Sequence, residues 1–236
     1  MIDCVSVANM RNSDRMTIES GVSGVELIRR AAYSVFCSVE WKEPIAIVVG
    51  SGNNGADGFA LAEIFHERGI ACTVFTVSDR LHEDAAYYAR RCDVCGVSVR
   101  AFSEDCLRGF ASVVDCMLGT GFSGNVKKTY AEAINAVNEC KAFVVSVDIN
   151  SGMNGDSGTG TTVVRSDHTV TIGFVKRGLI LPEAGKYIGK LTCVDIGIAL
   201  AEREDVICAR ESPGDGSRSC YLCPQWLDMD VKRYVE

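Results

Sequence analysis

No apolar run in the sequence reaches the ~18–20 residues needed to cross a bilayer, and the opening stretch "MIDCVSVANMRNSDRM" lacks the apolar core of a secretion signal. Cations are in deficit: 24 lysines and arginines face 31 acids, for a net charge of −7. That balance excludes broad nucleic-acid binding, which neutralises phosphates with lysine and arginine. Histidine is scarce as well. His66, His82 and His168 have no partners at metal-ligand spacing, and each reads as structural or exposed. No Ser-His-Asp arrangement or nucleophile elbow is present. The expectation is a cytoplasmic protein that binds neither membrane nor nucleic acid.

Cysteine, by contrast, is plentiful, at twelve. Many lie inside apolar patterns such as "ACTVFTV", "VVDCML" and "LTCVDIGI", where they read as small buried hydrophobes. Two CxxC pairs, Cys92/Cys95 and Cys220/Cys223, could together offer four thiolates to a zinc ion. They lie too far apart for a compact zinc ribbon. Core packing for the first pair and a loose tail for the second is the preferred reading.

Residues 9–40 read as helical, with cap signals at Asn12–Ser13 and at Ser23. After Pro44 the pattern alternates. Strand-like runs cover Ile45–Val49, Cys72–Val77, Val97–Arg100, Ser112–Met117, Phe143–Ile149, His168–Gly173 and Leu191–Ile198, and helical patterns fill 57–68, 82–95 and 127–140. Continuous apolar strands between helices imply a parallel sheet covered on both faces. The expected class is therefore α/β: a Rossmann-like, doubly wound, mostly parallel sheet in three layers. From about residue 201 the pattern dissolves. A domain over 1–200 followed by a dispensable tail or linker stub over 201–236 is the expectation.

Doubly wound folds bind ligands beyond the carboxyl ends of their strands, so the loops that follow the strands carry the argument. Three of them, "GSGNNGADG", "VDCMLGTGFSGN" and "VDINSGMNGDSGTG", mix glycine with Asp, Asn, Ser and Thr and hold almost no cation. In the first, Gly55–Ala56–Asp57 would stand at a helix N-terminus, where free amides and the helix dipole favour an anion. It reads equally as a plain capped turn in which Asn53, Asn54 or Asp57 satisfies the helix end. It is read as distinct from the dinucleotide fingerprint, and from a Walker loop because no GK[ST] follows. Asp115 and Asp148 end apolar runs, where an unpartnered carboxylate is costly to bury. Each could cap a neighbouring loop. Beside Asn54 and Ser151, they could instead bind a hard cation, since oxygen ligands without Cys or His suit one. Such an ion would supply the charge that the loops lack.

In order and spacing, these loops and the later segment "TVTIGFVKRGLILPEAGKYIGKLTCVDIGI" resemble the NAD(P)H-hydrate epimerases, from about Met10 to Ile198. The resemblance implies a Rossmann-like fold, a bound potassium ion, and interconversion of the R and S epimers of hydrated NADH and NADPH (NADHX and NADPHX). It also implies a functional partner, the dehydratase that accepts only the S form, and is compatible with a homodimer. Carried over by position, Asn53, Asn54, Gly55, Ala56 and Asp57 would contact substrate. Gly119, Thr120, Gly121, Phe122, Ser123, Gly124 and Asn125 would wrap the diphosphate. Asp148 would contact the reacting ring and serve as general acid and base, and Asn54, Asp115 and Ser151 would ligate potassium.

This sequence departs from the family pattern at three places. "DINSG" puts Asn150 where proline is usual, "GADG" puts Ala56 where glycine is usual, and "IRRAA" places Arg29 and Arg30 in the segment that is usually "MENAG". The arginines would suit a rival reading, a non-catalytic nucleotide- or partner-binding protein of the same fold. A sugar or nucleotide kinase is disfavoured, because no GxGD-like anion hole or late catalytic base is seen.

Overall fold

Strand β2 (Ile45–Val49) shows why the chain folds as it does. All five of its residues are buried, and they divide by parity. Ile45, Ile47 and Val49 enter one apolar cluster, and Ala46 and Val48 enter another. A strand alternates its side chains across the sheet, so a run apolar at every position must be covered on both faces. Helices α2 (Gly24–Ser38), α3 (Asn53–Glu67) and α4 (Glu83–Cys95) cover one face and α5 (Lys128–Glu139) the other. This is the three-layer arrangement expected from the sequence. The computed structural model describes residues 2–208, 220–222 and 224–233.

The main sheet is completed by β3 (Cys72–Thr76), β4 (Ser98–Ala101), β5 (Ser112–Cys116), β6 (Phe143–Val147), β7 (Ser166–Ile172), β9 (Ile188–Asp195) and β12 (Asp228–Arg233). Its eight strands run in the order β12-β9-β7-β6-β5-β2-β3-β4, and every pairing is parallel. The chain runs outward through β2, β3 and β4, returns to β5 beside β2, and proceeds the other way. The direction of winding therefore reverses between β2 and β5, and a ligand crevice belongs beyond their carboxyl ends.

A second sheet has the order β11-β10-β1-β8. It contains β1 (Ile2–Val5), β8 (Val175–Lys176), β10 (Asp205–Cys208) and β11 (Cys220–Leu222). Strand β1 lies antiparallel to β10 and parallel to β8, with Val5 opposite Lys176.

Several boundaries differ from expectation. The helical stretch is two helices, α1 (Val7–Glu19) and α2, and the cap of α1 is Ser6, whose hydroxyl accepts from the Asn9 amide. Ser13 lies inside the helix and donates to the Asn9 carbonyl at 2.9 Å. Ser23 caps α2 as read. The loose tail after residue 200 is corrected where the chain is described: β10 pairs with β1, and β12 pairs with β9 across six residues. Val206, Ile207 and Leu227 are buried. Edge pairing of short strands leaves no periodicity for a sequence reading to detect. Cys223 lies outside the described residues. Leu227→Ala should therefore cost about 2–5 kcal/mol, the usual range for a buried leucine. Urea or thermal melting checks this, and an unshifted transition would restore the view of a dispensable tail.

Candidate functional site

The crevice between β2 and β5 is shaped by glycines. A Cβ on Gly50 would come within 1.9 Å of the Met117 carbonyl oxygen, and one on Gly55 within 2.1 Å of the Gly50 carbonyl oxygen. The β2–α3 turn can thus press against the loop after β5 only without side chains. Gly52, whose missing Cβ would meet nothing within 4 Å, is the N-cap of α3 and makes no side-chain cap bond. The helix begins at Asn53, so the first-turn amides lack the capping side chain that the sequence allowed. They form an anion-binding end. Gly50, Gly52 and Gly55 also stand at GxGxxG spacing. That corrects the reading of this loop as distinct from the dinucleotide fingerprint.

Asp148 follows β6 directly. Its φ is 68°, the one positive value among the described non-glycine residues, and the Ile149 amide donates to the Val147 carbonyl across it at 2.9 Å. This is a tight γ-turn in a strained region of backbone, of the kind retained at functional sites. The Asp148 carboxylate accepts from the Lys176 ammonium at 2.5 Å and from the Thr120 amide at 3.2 Å. Lys176 is 1% exposed. Its other contacts are the Thr171 hydroxyl at 3.1 Å and the Ile172 carbonyl at 2.6 Å, so all three ammonium donors are used.

Asp115 lies fully buried at the end of β5. Its carboxylate accepts from the Met117 amide, the Ser146 hydroxyl, and both the amide and hydroxyl of Ser151. Burial still raises its pKa, against the opposing effect of these bonds. Ser151 also accepts from the Leu118 amide at 2.8 Å. Next to Leu118, Gly119 lies against Asn54 and Asp148. Both polar atoms of the Asn54 side-chain amide are buried without a hydrogen-bond partner. Loop 117–119 thus gathers Asn54, Asp115, Ser151 and Asp148 from two strand ends, those of β5 and β6, and one helix start.

Asp115 and Ser151 are fully buried, whereas Asn54 and Asp148 open into a cavity of about 630 Å³, within the range of small-molecule sites. Its lining includes Asn53, Asn54, Asp57, Gly119, Thr120, Gly121, Phe122, Ser123, Asp148 and Lys176, with Met10, Arg11 and Asp14 of α1 and Leu27, Ile28 and Ala31 of α2. Gly55 and Ala56 lie beneath the lining, and the Ala56 methyl enters the core. Gly124 and Asn125 are exposed beyond it. Arg29 and Arg30 turn away: both meet Glu26, and Arg30 also reaches the Ile196 carbonyl. Asn150 is fully buried, donating to Val164, Ser166 and Tyr187 and accepting from Thr169. It ties segments together behind the site. Among the histidines, His82 lies at the cavity rim. His168 is buried against Thr192, and burial lowers its pKa to about 4. Cys92 is buried and Cys95 half-buried, and no group of metal-binding side chains rich in His, Cys, Asp or Glu occurs among the described residues.

Two residues escaped the sequence reading. Lys176 sits in the quoted segment "TIGFVKRG", where a Lys-Arg pair closing an apolar run gave no signal of burial. Asp14 lies beside the buried stripe of α1. Burial pushes its carboxyl up to about 6, with Asp148 adding to the shift and Lys176 opposing it. Asp57 is raised well above the carboxylate range, first by burial and then by Asp148 and Asp14.

Known proteins resemble the chain in sequence and fold. The profile of the family described as "YjeF-related protein N-terminus" matches residues 15–178. The chain is 36% identical to the bifunctional NAD(P)H-hydrate repair enzyme Nnr of Coxiella burnetii, over 80% of this chain, and it spans 40% of that relative's length. It is 35% identical to an NAD(P)H-hydrate epimerase of Limosilactobacillus reuteri, over 79% of this chain and 92% of the relative. An NAD(P)H-hydrate epimerase of Rhodopirellula baltica is 31% identical, over 81% and 83%. The solved structure of yeast ynu0 superposes with a TM-score of 0.66 at 19% identity, over 75% of this chain and 83% of that one, and so shares the fold.

The raised pKa of Asp14 has a consequence for stability. Between the unfolded value of about 4 and the folded value of about 6, the unfolded chain releases a proton that the native state retains, so stability falls as pH rises through this window. Asp14→Asn should therefore melt at a higher temperature than the unsubstituted protein at about pH 8, with the gain vanishing below about pH 4. Equal shifts at both pH values would contradict this environment for Asp14.

Proposed function

Because the chain belongs to the YjeF N-terminal family, that of the NAD(P)H-hydrate epimerases, we propose that it interconverts the R and S epimers of hydrated NADH and NADPH. Asp148 is the general acid and base. The observation that carries this reading is Asp148 itself: a strained, ion-paired carboxylate at the carboxyl end of β6, the strand next to β5, lining the cavity.

The chemistry suits the arrangement. The reacting carbon bears a hydroxyl beside the ring nitrogen, and loss of that hydroxyl, pushed by the nitrogen lone pair, gives a planar cation. Water returning to the other face inverts the centre. A carboxylate next to the ring can move the protons and stabilise the cation. Lys176 and the Thr120 amide hold that carboxylate in place. The uncapped first turn of α3 and loop 119–123 would bind the diphosphate. The cavity offers Arg11 at its rim, donating to the Thr120 carbonyl at 2.9 Å.

A potassium ion fits the residues present. The unpartnered amide of Asn54, the carboxylate of Asp115 and the hydroxyl of Ser151 would hold it, supplying positive charge beside the diphosphate loops. The product would pass to a dehydratase, in keeping with the bifunctional name of the Coxiella relative. The binding-only alternative draws on Arg29 and Arg30, and their absence from the cavity lining favours the catalytic reading.

Asp148→Asn, which keeps the shape and tolerates the positive φ, should cut R/S exchange by at least ~10²-fold while nucleotide binding persists. NMR of hydrated NADH reads both, and near-normal exchange would remove Asp148 from the mechanism. Potassium should raise the melting temperature by linkage, and sodium or tetramethylammonium at equal ionic strength should not. Asp115→Ala should lose the response. Identical melting in all three salts would return Asp115 to a loop-capping role.

A further inference from the structure

Epimerisation through a planar cation needs proton transfer on both faces of the ring. A carboxylate within the ~2.6–3.2 Å reach of one face cannot serve the oxygen on the other. Asp148, fixed to the sheet by Lys176 and Thr120, occupies one face. The second group must come from another wall of the cavity.

Helix α1 forms such a wall, and its position over Asp148 is set by hydrogen bonds. Arg11 donates to the Thr120 carbonyl at 2.9 Å, and the amide of the same Thr120 donates to Asp148 at 3.2 Å. Asp14 lies three residues after Arg11 and four after Met10. It therefore shares their helix face, and all three line the cavity. No hydrogen bond or ion pair engages the Asp14 side chain among the described residues, so its carboxyl is uncommitted. The other acids of the cavity are less well placed. Asp57 is 9% exposed and belongs to the first turns of α3, the helix end assigned to the diphosphate. Asp84 belongs to α4, near Gly24.

Resting on the epimerase reading, we infer that Asp14 is a second catalytic residue, exchanging protons on the ring face opposite Asp148. In one direction the Asp14 carboxyl gives its proton to the hydroxyl oxygen as the C–O bond breaks. The bonding pair leaves with that oxygen as water, and the nitrogen lone pair forms the C=N bond. A water on the other face then bonds to the carbon through its oxygen, the C=N pair returns to nitrogen, and the Asp148 carboxylate takes the water's proton. One proton has moved from Asp14 to Asp148, and the reverse reaction returns it. The pKa of Asp14, raised to about 6 chiefly by burial, keeps part of it in the acid form near neutrality.

The test follows R/S inversion and the exchange of the ring hydroxyl with isotopically labelled water, using hydrated NADH and the full chain. Asp14→Asn should lose inversion by ~10²-fold or more. The epimer whose hydroxyl faces Asp148 should still exchange it without inverting, because that face keeps its acid and base. Inversion at the unsubstituted rate, or equal loss of inversion and exchange, would overturn the role of Asp14. Asp148→Asn, run alongside, separates the two claims: if it too inverts normally, the epimerase mechanism at Asp148 fails, whatever Asp14 does.

Discussion

The ion pair between Lys176 and Asp148 is the interaction around which the site is organised. An ammonium buried to 1% exposure cannot remain without partners. Lys176 satisfies its three donors with Asp148, Thr171 and Ile172. Such a pair is weak evidence for stability, since its desolvation cost rivals its attraction. Its value here is placement. It holds a carboxylate in a γ-turn at the end of β6 and supplies the cation that none of the three glycine loops contains.

The small sheet gains a purpose from this. Lys176 ends β8, and β8 is a two-residue strand that pairs with β1, which pairs in turn with β10. Segments from both ends of the described chain, far from the chemistry in sequence, thus fix the backbone of the lysine that orients Asp148. Glycines perform the complementary task. Gly50 lets the β2–α3 turn approach the loop after β5 and Gly55 lets that turn close on itself, which brings Asn54 beside Gly119 and Asp148.

Much of this was legible in the sequence. Runs such as "IAIVV" and "SVVDC" are apolar at every position, so they announced buried parallel strands. A carboxylate ending such a run is expensive enough to mark a site, and Asp115 and Asp148 were read that way. Lys176 was not, because a lysine followed by arginine reads as an exposed pair, and its partner lies 28 residues away. The cap at Ser6 was missed because Asn and Ser recur along α1 and local cap signals compete. The small sheet was invisible because its strands are only two to four residues long. Asp14 could be recognised only once Arg11 and Thr120 had set α1 over the cavity.

The coupling of Lys176 to Asp148 is central to the site, and a double-mutant cycle measures it most directly. R/S exchange and melting would be compared for Lys176→Met, Asp148→Asn and the combined variant. If the lysine acts through Asp148, each single change disables exchange, and the combined variant is no slower than Asp148→Asn alone. The stability terms should then be non-additive by about 0.5–3 kcal/mol. Independent, additive losses, or a Lys176→Met protein that exchanges epimers normally, would contradict it.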